Sequence, residues 1–235
     1  MVAVAPRTAF YRRGVLTPLQ ERVARIVSSL PEAAGFALAG GAALVVGRAV
    51  DRSTKDLDFF GPSADEVQSL LAALEPALTD AGLTVRRERV TTSFVRLTVT
   101  ADNDTTEVDL AADARMRPTR SGPLGPMLAL EELAADKLLA PFDRAQARDF
   151  VDVAALVERF GLDRLCELAK EKDPGFSRPV LRDMLGGFGR FDQTDFGLDH
   201  STYAHLAQDV RRWHTTLSLD PSRSSNPPDE PSLGL

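Results

Sequence analysis

The feature that most constrains this chain is the run Phe36-Ala-Leu-Ala-Gly-Gly-Ala-Ala-Leu-Val-Val-Gly-Arg-Ala-Val, followed by Asp51-Arg-Ser-Thr-Lys-Asp-Leu-Asp-Phe-Phe60. Phe36 to Ala39 is an apolar stretch of strand length, and Gly40-Gly41 breaks it. Ala42 to Arg48 has the composition of a short helix, and Asp56 to Phe60 alternates polar and apolar residues as a strand does. Residues two apart on a strand point to the same side, so Asp56 and Asp58 share one face while Leu57 and Phe59 share the other. Two neighbouring carboxylates repel when both are ionised, and a cation between them removes that cost. A hard divalent ion such as Mg²⁺, or Mn²⁺ in its place, suits oxygen ligands and phosphates.

A third carboxylate follows from the next alternation. In Thr106-Glu-Val-Asp-Leu-Ala111, Val108 and Leu110 point inward, which leaves Glu107 and Asp109 on the opposite face. If this strand lies beside Asp56–Phe60, Asp109 joins Asp56 and Asp58 as a metal ligand. Three carboxylates on adjacent strands can hold two metals, position a nucleoside triphosphate (NTP) and activate a hydroxyl for attack at its α-phosphate. Gly40 and Gly41 supply the complementary half, since a strand–Gly-Gly–helix step lets backbone approach phosphate closely. Ser53 and Thr54 would donate to phosphate oxygens, and Arg48 or Arg52 would neutralise them.

The rest of the chain reads as helices around a small sheet. Thr17, Pro18 and Gln20 open the first helix with a capping box, and Ser63 with Glu66 opens another, closed at Gly82. Val95, Leu97 and Val99 alternate with Arg96, Thr98 and Thr100 as one arm of a hairpin whose other arm is 107–111. The stretch 115–126, rich in Pro, Gly and Arg, reads as a loop or hinge. Beyond it only helices are expected, at 128–140, 146–160, 162–172, 178–187 and 199–216. The expected class is α+β: a small mixed or antiparallel sheet with flanking helices in residues 1–126, a helical lobe completing a cleft in 127–217, and a disordered tail in 218–235.

Composition narrows the function classes. A net charge of −6 excludes a generally basic nucleic-acid binder. Local clusters at Arg86, Arg87, Arg89 and at Arg115, Arg117, Arg120 leave room for a confined RNA contact, or for nothing more than solvated surface. No run approaches the ~20 apolar residues of a membrane span. The single cysteine, Cys166, allows no internal disulfide, for which a reducing cytoplasm is the simplest expected compartment. Cys166 reads as a packed small residue, Trp213 as a packing residue, and His200, His205 and His214 lack a zinc spacing.

Taken together, Ala37-Leu-Ala-Gly-Gly-Ala-Ala-Leu44, Arg52-Ser-Thr-Lys-Asp-Leu-Asp-Phe59, Glu131-Glu-Leu-Ala-Ala-Asp-Lys-Leu-Leu-Ala140 and Ala147-Arg-Asp-Phe-Val-Asp-Val-Ala-Ala-Leu156 resemble the AbiEii/AbiGii toxin family, which includes the mycobacterial MenT group. That family belongs to the DNA polymerase β-like nucleotidyltransferases, and the resemblance spans about 36–156. It implies a polymerase β-like core, NTP as substrate, a cognate antitoxin, and an RNA acceptor such as a tRNA 3′ end. It also implies a catalytic Lys137 reaching the triphosphate and functional roles for Arg148, Asp149 and Asp152, with Asp152 preferred over Asp149 as catalytic and Asp149 placed at the nucleotide. The residues alone leave open whether Lys137 faces the cleft or snorkels to solvent. They also leave two other functions open: a catalytically silent module that binds nucleotide or a partner, and a transferase acting on a small molecule such as an antibiotic.

Overall fold

The computed structural model describes residues 16–102, 104–144 and 146–219; the side chains of 141–144 lie outside that description, as does the expected tail from 220 onward. Among the described residues seven strands form one mixed sheet: β1 (Ala37–Ala39), β2 (Asp56–Gly61), β3 (Thr84–Val90), β4 (Phe94–Ala101), β5 (Asp104–Ala112), β6 (Arg120–Gly122) and β7 (Gly125–Met127). Their order across the sheet is β3-β4-β5-β2-β1-β7-β6. The pairs β5/β2 and β1/β7 are parallel, and the others are antiparallel.

Helices α1 (Pro18–Ser29) and α3 (Ala64–Asp80) pack on one face of this sheet. Leu70, Leu74 and Leu78 of α3 are fully buried, as are Leu57, Leu97, Val108 and Leu110 of the strands. Each such side chain stabilises the fold by roughly 1.5–3 kcal/mol. The capping box at Thr17 and Gln20 forms as the sequence requires. At α3, Ser63 caps the Glu66 N–H, but the Glu66 carboxylate takes the Ser63 hydroxyl at 2.9 Å, so the box is one-sided. Gly82 follows the helix in a left-handed conformation, φ +75°.

The opposite face of β2, β4 and β5 looks toward α4 (Leu130–Arg144) and α6 (Leu162–Lys172), with α5 (Ala147–Phe160) beside α4. Helices α7 (Arg178–Gly186), α8 (Gln193–Phe196) and α9 (His200–Ser218) complete the helical region. Phe150, Phe188, Phe191, Phe196 and Tyr203 form its aromatic core, and Trp213 and Cys166 are buried.

Three sequence expectations change. The stretch 84–90 forms a strand the sequence did not announce: Thr-Val-Arg-Arg-Glu-Arg-Val is exposed along nearly its whole length, as an edge strand is, and carries no apolar alternation. Part of the expected loop 115–126 is also ordered as strand, since β6 and β7 pair as a tight hairpin and β7 joins β1 through the pair Leu38–Met127. Finally, α2 (Gly40–Val46) begins at the glycines themselves rather than after them.

Candidate active site

Register places the acidic face. Strands β2 and β5 run parallel with Asp56 beside Glu107, Asp58 beside Asp109 and Phe60 beside Ala111. On the far side of β5, β4 continues these rows with Thr98, Arg96 and Phe94. Leu57, Phe59, Val108 and Leu110 take the other face into the core. Asp56, Asp58 and Asp109 therefore project from neighbouring strands on one side of the sheet.

Each carboxylate has different company. Asp56 accepts the Thr54 hydroxyl at 2.7 Å and pairs with Arg148 of α5 at 3.0 Å. Burial alone would raise its pKa, but Arg148, Thr54 and Lys137 together hold it below the usual carboxylate range. Asp109, 5% exposed, is gripped by Arg96 through a two-pronged pair at 2.8 and 2.6 Å. That grip raises the Arg96 pKa further. Asp58 has no ion pair among the described residues. Burial, then Asp56 and Asp109, push its pKa up to about 7.

The glycine turn lies against Asp58. Gly40 has φ +55°, and a Cβ there would sit 1.9 Å from the Asp58 Oδ2. No side chain fits between the turn and the carboxylate, so this position demands glycine on both counts. A Cβ on Gly41 would meet the Arg52 Nη2 at 2.9 Å and the Thr54 Oγ1 at 3.0 Å. Thr54 is itself buried and fixed from behind, because the buried Gln20 of α1 donates to its carbonyl at 3.0 Å.

A second ion-pair centre stands next to the first. Asp152 is fully buried and accepts Arg52 Nε and Nη2 at 2.6 Å each, while the Lys137 Nζ lies 3.0 Å away. Burial opposes its charge, yet Lys137 and Arg52 keep its pKa below the ordinary value. Lys137 is only 13% exposed and points inward to Asp152, with Asp149 at 3.6 Å, so it does not snorkel. Asp149 also accepts the Gln146 N–H at 3.1 Å, closing the N-terminus of α5. Its visible work is thus to cap a helix and steady Lys137.

Among the described residues no three acidic, histidine or cysteine side chains are grouped as the ligands of one ion. Asp56 is turned to Arg148 and Asp109 to Arg96. The donor chemistry nonetheless suits a hard divalent cation: three carboxylates on one face, in register, with only oxygen donors. Binding would require the two arginines to yield.

Beside the carboxylates opens a cleft of about 720 Å³. Asp58 and Asp109 form its inner end, the strands β3–β5 one wall, and Asp136, Leu139 and Lys172 of α4 and α6 the other. Two residues here escaped the sequence reading, Asp136 and Lys172. Lys172 is 2.6 Å from both Asp113 and Glu132 and 3.3 Å from Asp136. Burial works against its charge, but these acids raise its pKa overall. Asp136 is pushed up to about 6, chiefly by burial. The lysine thereby pins the 113–117 stretch to the helices, helped by Glu132 accepting the Met116 and Arg117 N–H groups. Of the arginine clusters, Arg87 pairs with Glu75, Arg117 with Glu171, and Arg115 with the carbonyls of Gly35 and Phe60. These cations serve internal structure. Arg89 lines the cleft.

A mixed sheet carrying registered aspartates beneath a glycine turn, closed by a helical lobe, is the architecture of a nucleotidyltransferase. The chain belongs to the AbiEii nucleotidyl transferase toxin family of type IV toxin–antitoxin systems, whose model matches residues 23–217. Among solved structures it is similar to MenT4, a nucleotidyltransferase toxin from Mycobacterium tuberculosis H37Rv, at 18% identity and TM-score 0.59, covering 87% of this chain and 85% of that one. It is also similar to JHP933 from Helicobacter pylori, at 19% identity and TM-score 0.52, covering 87% and 95%. At such identities the likeness is one of fold. No curated protein matches the chain. Among the described residues no helix is long and apolar enough to cross a membrane.

Proposed function

We propose that this toxin transfers a nucleoside monophosphate from an NTP to a hydroxyl of an RNA acceptor, such as a tRNA 3′ end, with Mg²⁺ or Mn²⁺ held by Asp56, Asp58 and Asp109. The observation that carries the reading is the lateral register of Asp58 with Asp109, with Asp56 one step along the same face. When bound, the divalent cation would neutralise the phosphates and lower the pKa of a nearby hydroxyl. Asp109 takes the proton of the acceptor hydroxyl. The new bond forms from that oxygen to the α-phosphorus, the α–β bridging bond breaks, and pyrophosphate leaves.

Lys137 and Arg52 neutralise the triphosphate, from positions Asp152 sets. The Gly40-Gly41 backbone and the Thr54 hydroxyl add donors for the phosphates, the hydroxyl by leaving Asp56, to which it now donates. Asp149 acts through Lys137 and as the cap of α5. In the family's toxin–antitoxin context, an antitoxin opposes this activity.

The test is incubation of the full chain with each α-³²P-labelled NTP, Mg²⁺ and either total tRNA or a panel of small hydroxylated acceptors. The expected result is label in RNA, lost in Asp56→Asn and Asp109→Asn variants that still melt cooperatively. Label on a small hydroxylated acceptor but never on RNA would replace the acceptor class. Failure with all four NTPs and both acceptor types would leave a binding module.

A further inference from the structure

Directly beyond the aspartates, the sheet places two aromatic rings on either side of the smallest side chain available. In the row after Asp58, Asp109 and Arg96 stand Phe60 on β2, Ala111 on β5 and Phe94 on β4. All three line the cleft. Phe60 and Phe94 are two strand spacings apart, about 9–10 Å. Aromatic rings stack with centroids about 4.5–7 Å apart, so this backbone spacing is the one that leaves room for a single planar ring between two side chains that rise in parallel, above the Ala111 methyl. A larger residue at 111 would fill that gap.

Two further features give the slot a sign. The guanidinium carbons of Arg89 and Arg96 lie over the Phe94 ring, 5.6 and 5.8 Å from its centroid, so the Phe94 side of the slot is cationic and a base entering there meets the ring together with these two cations. Across the cleft, the buried Oδ2 of Asp136 has no hydrogen-bond partner, while its other oxygen faces Lys172 at 3.3 Å. An unpaired buried acceptor is costly, and because Asp136 lines the cleft a turn of its carboxyl would offer that oxygen to a ligand N–H.

We propose that Phe60 and Phe94 clamp the terminal nucleobase of the nucleic-acid acceptor over Ala111, with Asp136 accepting from its exocyclic amino group and Arg89 meeting the adjoining phosphate. This rests on the transferase reading for the identity of the acceptor. The slot belongs to the acceptor rather than the NTP because of its side of the acidic row. Gly40, Gly41, Arg52 and Lys137 lie toward β1, α2 and α5, whereas the slot is centred on β5, between β2 and β4, in the row next to Asp109. A base held there brings its own ribose to the carboxylate that takes the proton.

The experiment measures binding and transfer separately. Four fluorescein-labelled RNA 12-mers, identical except for a 3′-terminal A, C, G or U, are titrated with the full chain in Mg²⁺ by fluorescence anisotropy. The same oligomers are then assayed as acceptors with labelled NTPs. Stacking of one base on an aromatic side chain corresponds to a roughly five- to hundredfold change in affinity. Phe94→Ala and Phe60→Ala should each weaken oligomer binding at least about fivefold and raise the acceptor KM, with the NTP KM unchanged. Phe94→Trp should bind as the wild type does, which separates stacking from loss of fold. The wild type should prefer A-, C- and G-ended oligomers over the U-ended one, and Asp136→Asn should narrow that preference.

Unchanged oligomer affinity in both alanine variants would overturn the slot even if transfer is robust. So would a change confined to the NTP KM, or a wild type that binds no oligomer. A wild type that binds oligomers in a Phe94-dependent way but transfers no label would retain the slot and refute the transferase reading, so the two failures are distinct.

Discussion

Replacing Asp58 with asparagine should stabilise the metal-free protein while abolishing its activity. Its carboxyl is pushed from the ordinary 3.8 to about 7 by burial and by Asp56 and Asp109. A group whose folded pKa lies above its unfolded one keeps its proton in the folded state where the unfolded chain has released it. Its contribution to stability is therefore fully present below about pH 4 and is lost as pH rises through about 7. Three pH decades at about 1.4 kcal/mol each set a ceiling of about 4 kcal/mol. Solvent contact at this half-buried carboxylate lowers that to roughly 2–4 kcal/mol. For a chain of this size each kcal/mol moves Tm by about 2–4 °C. Asp58→Asn should then melt about 4–16 °C above the wild type at pH 8 in EDTA, and the two curves should converge toward pH 4. Differential scanning fluorimetry from pH 4 to 8 reads this directly. Adding Mg²⁺ should raise the wild-type Tm and leave the variant's unchanged, as expected of a ligand that binds the folded state through this carboxylate. A variant that melts at or below the wild type across the range, with or without the ion, would refute the claim that Asp58 carries unrelieved charge.

The neighbouring centre should respond in the opposite sense. Asp152→Asn leaves Arg52 and Lys137 without their buried partner and should cost about 3–5 kcal/mol. Because the Asp152 pKa is lowered, its contribution is present above about pH 4 and lost on acidification, so the Tm deficit should be constant from pH 5 to 8 and shrink below pH 4. Gly40→Ala combines a left-handed backbone, worth about 1–2 kcal/mol against a non-glycine residue, with a methyl on Asp58 Oδ2. It should lower stability by at least that amount and remove the Mg²⁺-dependent Tm shift, and a variant that keeps the shift would show that the close approach is dispensable.

Much of this was legible in the sequence because it is local. The alternation in Asp56–Phe60 and Glu107–Ala111 assigned faces without any knowledge of pairing, and the Gly-Gly break located the turn. The caps at Thr17 and Ser63 marked helix starts because capping uses residues three apart. What escaped depends on register or on distant contacts. Nothing in Val95–Val99 says that Arg96 will stand opposite Asp109, and the strand 84–90 hides because an exposed edge needs no apolar face. Lys172, 59 residues from Asp113 and 40 from Glu132, could not be joined to them by spacing. Lys137 was ambiguous because an amphipathic helix supports both orientations; only the packing of α5 against α4, which delivers Asp152, decides it.

The charge balance of the centre explains why Asp58 is the sensitive point. Leaving aside the exposed Glu107, which lies 3.6 Å from Arg96, five carboxylates, Asp56, Asp58, Asp109, Asp149 and Asp152, share this region with four cations, Arg52, Arg96, Lys137 and Arg148. Arg148 answers Asp56, Arg96 answers Asp109, and Arg52 with Lys137 answers Asp152 and, more distantly, Asp149. The carboxylate left without a cation among the described residues is Asp58, which lies against the glycine turn and whose pKa burial, Asp56 and Asp109 raise to about 7. A fold selected for stability alone would replace that side chain with a neutral one, since a buried charge without a partner is among the costlier features a core can carry. A site that must accept a cation has the opposite requirement: it needs a deficit of positive charge to fill. On this argument the arginines on either side act as placeholders that keep Asp56 and Asp109 ionised and oriented, and the excess negative charge at Asp58 is what an incoming divalent ion would neutralise.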